Sequence, residues 1–147
     1  MGGSYGGYAS LVAAYQSPNR YKCAVAFAPV TDIKELIREQ RNFVLSKGSI
    51  DRLRDRDEQT EVSPIEQARN FSIPVLIVHG DVDRVVKIEQ SRGLTEALKE
   101  ANADYRYIEQ KNGNHYLSLK SHRREFLLAV DDFLATHIGD TAATDPL

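Results

Sequence analysis

Two rhythms of apolar positions alternate along this chain. From Tyr5 to Gln16 the run YGGYASLVAAYQ is rich in Ala and Leu after its first turn and is closed by Ser17 and Pro18, which predicts a helix. CAVAFA, Cys23 to Ala28, is a short unbroken apolar run, the pattern of a strand covered on both faces. After the turn APVTD, a rough helical period starting at Ile33 and including Leu36, Ile37 and Phe43 to Leu45 predicts a helix through about Ser46. The charged stretch SIDRLRDRDEQTE reads as a solvated connection rather than a carboxylate cluster. Ser63 and Pro64 open a brief helix, SPIEQARN, and Pro74 then introduces VLIVHG, the clearest strand in the chain. Ile88 to Ala101 has helical spacing and ends near Asn102, and Tyr105 to Glu109 alternates like a strand. Arg123 to His137 forms a helix with Phe126, Leu127, Val130, Phe133 and Leu134 on one side, and GDTAATDPL reads as a frayed, flexible tail. Helices and strands alternate without repeats or a low-complexity linker, which predicts parallel strands joined by crossover helices, an α/β architecture with three core strands.

Composition adds exclusions. At 147 residues the chain can form one domain with a core, and 41% apolar with 27% charged residues is ordinary for a globular protein. A formal net charge of −2 from intermixed acidic and basic residues leaves no footprint for nucleic acid or an anionic membrane surface. No stretch approaches the roughly 20 apolar residues of a membrane span, and no signal peptide opens the chain. Cys23, the single cysteine, excludes an internal disulfide and, beside CAVAFA, is expected to be a small buried side chain. A cytoplasmic setting is favoured, with an upstream signal peptide in a parent chain still compatible.

In open parallel sheets ligands sit beyond the carboxyl ends of the strands, so the residues there carry the chemistry. Gly2, Gly3, Ser4, Tyr5 and Gly6 form G-x-S-x-G ahead of the first helix, the arrangement of a nucleophile elbow. A serine hydroxyl is a weak nucleophile until a base takes its proton, and a tight strand-to-helix turn exposes it where glycines avoid collision, a need that Gly2 and Gly6 meet. The helix after Ser4 directs its first N–H groups toward the site, so the Tyr5 N–H is a candidate oxyanion donor. A phosphate loop is disfavoured because no G-K-[ST] follows. An orienting acid and a base should follow in that order on post-strand loops. Asp81 and Asp83 follow VLIVHG, and His115 lies in QKNGNHYLS after the last strand. Either aspartate could instead cap a turn. His79 is expected to pack or hydrogen-bond locally, and His122 and His137 to face solvent. No metal-ligand spacing occurs, so no metal or other cofactor is expected.

GGSYGGYASL, AFAPVTD, SPIEQARNFSIPVLIVHGDVDRVV, GNHYLS and a terminal amphipathic helix together resemble the catalytic domain of the prolyl oligopeptidase family of serine peptidases, from Ser4 to about Ile138. The resemblance implies the C-terminal half of an α/β-hydrolase fold over residues 1–138, with 139–147 as a tail. It matches the last residue of H-G-x-x-D to Asp83, setting Asp81 aside, and the family histidine to His115. Substrate-binding side chains would be Tyr5, Val30, Ile33 and Val86. Ile33 stands where proline-preferring members often carry a large aromatic, which argues against strict proline specificity, and Lys87 replaces a common proline. Family domains carry a lead-in with the nucleophile strand and a second oxyanion donor, so the expectation is a C-terminal fragment or misassigned start with little activity alone. The implied reaction is peptide-bond hydrolysis through an acyl-enzyme by Ser4, Asp83 and His115. A carboxylesterase on the same triad, or a non-catalytic assembly module forming a homo-oligomer through an exposed sheet edge, is the alternative.

Overall fold

The computed structural model describes residues 1–40 and 63–139. Four parallel strands form one sheet in the order β1-β2-β3-β4: β1 Gly2–Gly3, β2 Ala24–Phe27, β3 Val75–Gly80 and β4 Tyr105–Gln110. The helices are α1 Tyr5–Gln16, α2 Ile33–Gln40, α3 Glu89–Glu100 and α4 Lys120–Ile138, with 3₁₀ segments at Pro18–Arg20 and Pro64–Asn70. Besides the three core strands read from the sequence, the sheet includes the two-residue β1, which pairs Gly2 with Ala26 and Gly3 with Phe27. The expected run of the second helix to Ser46, the charged stretch and most of the tail lie outside the described residues.

Side-chain alternation along the two central strands builds two cores. Ala24, Ala26, Val75 and Ile77 face one side and pack with Leu11 and Ala14 of α1, Ala68 of the second 3₁₀ segment and Phe71 just after it, and Leu94 and Leu98 of α3. Val25, Phe27, Leu76 and Val78 face the other side, against Ala129, Val130 and Phe133 of α4. Both strands are buried at every position, which is why they read as continuous apolar runs rather than alternating ones. A third cluster of Tyr8, Val30, Ile33, Leu36, Ile37 and Val86 joins α1, α2 and the chain after β3.

Three local expectations need correction. Leu127, assigned to the buried stripe of the last helix, is 63% exposed, because Ala129, Val130 and Phe133 supply that stripe with Phe126 and Leu134 half-buried beside it. His137 does not simply face solvent; its ring packs edge-on against Phe133, 4.5 Å between centroids. Cys23 is only half-buried, at the margin of the α4 core. Among the described residues no helix is long and apolar enough to cross a membrane.

Candidate active site

Ser4 directly follows β1 and opens α1 in the left-handed region, at φ 55° and ψ −124°. A side chain other than glycine is strained there. The conformation is held by a 2.8 Å hydrogen bond from the Ser4 N–H to the Phe27 carbonyl and by the Tyr8 N–H donating to the Ser4 carbonyl at 3.1 Å. A Cβ at Gly2 would collide with the Gly6 carbonyl, so the turn requires glycine there. The matching expectation for Gly6 does not hold, since a Cβ at Gly6 meets nothing within 4 Å; Gly7 is the tight position, 3.0 Å from the Pro29 side chain.

The other two candidates are brought together by the ends of β3 and β4. The Asp81 N–H and Gly113 N–H both donate to the Gln110 carbonyl, at 3.1 and 2.9 Å, and the Val82 N–H donates to the Gly113 carbonyl at 3.0 Å. Asn114 folds the next turn by accepting from the Tyr116 and Ser118 N–H groups, and Arg123 of α4 donates to the Leu117 and Ser118 carbonyls. Within this frame Nδ1 of His115 lies 2.7 Å from Asp83 Oδ2. The carboxylate can only accept, so Nδ1 carries the proton and Nε2 is left to act as a base.

Asp83 is more fully engaged than its role beside His115 alone would need. Its Oδ1 accepts from the Val85 and Val86 N–H groups at 2.8 and 3.0 Å, and Nε2 of His79 lies 3.3 Å from Oδ2. Burial pushes the carboxyl up, and the hydrogen bonds from His79, His115 and the two amides more than reverse this, holding it at about 2. The group is therefore a carboxylate at any physiological pH. Asp81 makes no such contact with His115, and its Oδ1 is buried without a partner.

Ser4 shares the carboxyl-terminal edge of the sheet with Asp83 and His115, yet among the described contacts no hydrogen bond joins it to His115. Val30, Ile33 and Val86 meet in one cluster and are each at most 4% exposed, while Tyr5, 43% exposed, leans on Tyr8 of that cluster at 5.1 Å between ring centroids. Among the described residues no group of three or more His, Cys, Asp or Glu side chains is placed to hold a metal ion.

Two buried polar residues escaped the sequence reading. His79 hydrogen-bonds nearby, as expected, but its contact with Asp83 was not foreseen. Gln90 of α3 latches the chain after β2: its Oε1 accepts from the Thr31 and Asp32 N–H groups at 2.8 and 2.7 Å, and its Nε2 donates to the Asp32 carbonyl at 3.1 Å. No signal in the sequence singled out Gln90 from its neighbour Glu89.

Comparison with known proteins accords with this geometry. Residues 1–141 match the model of the prolyl oligopeptidase family. The acylamino-acid-releasing enzyme of Rattus norvegicus is 32% identical over 95% of this chain, and an uncharacterized peptidase of Bacillus subtilis is 32% identical over 84%. A puromycin-hydrolyzing peptidase of Mycobacterium tuberculosis superposes with a TM-score of 0.78 at 25% identity, covering 94% of this chain and 21% of its own. The chain spans about a fifth of the length of these curated relatives, 20% and 19% respectively. With the family match running almost end to end, this chain belongs to the prolyl oligopeptidase family.

Proposed function

We propose that the chain carries the reacting groups of a serine peptidase that cleaves peptide bonds through an acyl-enzyme. Ser4 attacks the substrate carbonyl, His115 takes its proton through Nε2 and returns it to the leaving amine, and Asp83 holds the imidazole in the tautomer that makes this possible. The Tyr5 N–H supplies one hydrogen bond to the oxyanion. Water then attacks the acyl-enzyme, His115 again accepting a proton, and Ser4 is released. The observation that carries this reading is the 2.7 Å contact between His115 Nδ1 and the buried Asp83 carboxylate, on the sheet edge where Ser4 sits in a strained turn. Tyr5 is assigned to the substrate side, with the buried cluster of Val30, Ile33 and Val86 behind it.

A single oxyanion donor is typically worth about a hundred- to thousandfold in turnover, which is the scale of the contribution assigned to the Tyr5 N–H. Hydrolysis of N-acyl amino acid anilides and of matched nitrophenyl esters, each against a Ser4→Ala control, tests the assignment. Anilide cleavage that Ser4→Ala abolishes supports a peptidase, whereas turnover confined to esters favours a carboxylesterase on the same residues. A stable oligomer with no Ser4-dependent turnover of either substrate would instead favour an assembly module paired through a sheet edge.

A further inference from the structure

The imidazole of His79 is fully buried, and each of its ring nitrogens has a defined neighbour. Nε2 lies 3.0 Å from the Val86 carbonyl and 3.3 Å from Asp83 Oδ2, and Nδ1 lies 2.7 Å from the Ser91 hydroxyl of α3. A carbonyl and a carboxylate only accept, so Nε2 must carry a proton; a hydroxyl can donate, so Nδ1 needs none. A single ring proton then satisfies every contact. Around Asp83 a carboxylate offers about four acceptor sites: the Val85 and Val86 amides donate to Oδ1 and His115 to Oδ2, and the Nε2 proton of His79, directed at the Val86 carbonyl, is shared with Oδ2 at 3.3 Å.

We propose that His79 is a positioning residue for Asp83: held by Ser91 and Val86 with its proton on Nε2, it takes the last acceptor site of the carboxylate and so fixes which oxygen, at what angle, faces His115. The terminal torsion of an aspartate is broad and roughly two-fold. Two backbone amides hold one oxygen of Asp83 and two imidazoles hold the other, so a rotation that would carry Oδ2 away from His115 breaks contacts on both sides. His79 acts through Asp83 and has no contact of its own with the reacting serine. Its neighbours with charge are Asp83 and, in register on β4, Glu109, whose carboxylate is paired with Arg92 of α3 and the Tyr107 hydroxyl. The inference rests on the catalytic reading of Asp83 and His115.

The test uses the full chain carrying ¹⁵N-labelled histidine. In the parent protein the ring ¹⁵N signals of His79 should show Nε2 protonated and Nδ1 bare; a proton on Nδ1 alone overturns the proposal without any variant. Exchange of the His115 Nδ1 proton with solvent is the second readout. In His79→Leu it should accelerate about tenfold, the scale set by losing one hydrogen bond. His79→Gln, which keeps a donor at the position of Nε2, should restore the slow rate. Unchanged exchange in His79→Leu, or equal acceleration in the Leu and Gln variants, overturns the proposal. Should His79→Leu not fold, Ser91→Ala keeps the Nε2 proton, which the Val86 carbonyl and Asp83 still require, but removes the hydroxyl that holds Nδ1, so the His115 Nδ1 proton should exchange faster; unchanged exchange overturns the proposal. Reaction of Ser4 with a fluorophosphonate probe in the same samples separates the two claims. Labelling of Ser4 with no exchange response overturns the role of His79 and leaves the catalytic reading standing, while an exchange response without labelling does the reverse.

Discussion

Gly80 and Gly113 approach so closely that a Cβ added to Gly80 would overlap the Gly113 carbonyl group, and one added to Gly113 would lie 2.9 Å from the Gly80 Cα. Gly80 ends β3 ahead of Asp83, and Gly113 lies between β4 and His115. The absence of both side chains is what lets the two loops pack until imidazole and carboxylate touch.

Gly80→Ala should therefore do two things at once. Overpacking against backbone costs about 1–3 kcal/mol, to be read by urea denaturation, and the displaced loops should lengthen the contact between His115 and Asp83. Loss of stability without faster exchange of the His115 ring proton would show that the glycine contact and the site are independent.

Asp83→Asn keeps the shape of the side chain but presents an amide that can donate to His115 and stabilise the wrong tautomer. On the precedent of serine hydrolase triads, the rate of Ser4 acylation should fall by about 10⁴. Stopped-flow or discontinuous labelling of the two proteins measures this, and a loss of only a few-fold would mean that Asp83 does not orient the base.

The same carboxylate predicts an acid limb of stability. Its value in the folded chain, about 2, lies below the ordinary 3.8, so folding favours the ionised form. The contribution is complete above about pH 4 and is lost as pH falls from there through about 2. Urea midpoints measured between pH 5 and 2 should fall more steeply for the parent chain than for Asp83→Asn; parallel curves would contradict the pairing.

Gln90→Leu removes the latch between α3 and the chain after β2, stranding the Thr31 N–H in the interior and depriving the Asp32 N–H of its partner. A destabilisation of about 2–3 kcal/mol is expected, with Gln90→Glu losing less because its oxygens can still accept from both amides. Chemical denaturation distinguishes them, and equal stability of all three proteins would remove the latch from the account.

Much of this fold was legible because burial on both faces leaves an unmistakable trace. Val75 to Val78 and Ala24 to Phe27 are unbroken apolar runs, and α1 begins and ends where its composition and the Ser17-Pro18 stop place it. β1 left no such trace: Gly2 and Gly3 carry no side chain to pattern, and only their register with Ala26 and Phe27 makes them a strand. α4 starts at Lys120, three residues ahead of the expected start at Arg123, because its first turn lies on the surface and carries no apolar stripe. In the site, Ser4, the pair Asp81 and Asp83, and His115 were readable from the ends of strands, and only the family resemblance chose Asp83 over Asp81. What no linear pattern carries is direction. Nothing in VLIVHG says that the ring of His79 turns from the core toward Asp83, and nothing around Glu89 and Gln90 says which of the two neighbours points inward.

The most direct measurement of the central claim, that Ser4, His115 and Asp83 act as one unit, is the site and rate of fluorophosphonate labelling, mapped by peptide mass spectrometry in the parent chain and in His115→Ala. The account predicts a slow adduct on Ser4 that is lost in His115→Ala. Labelling of another residue, or of Ser4 at the same rate without His115, would contradict it.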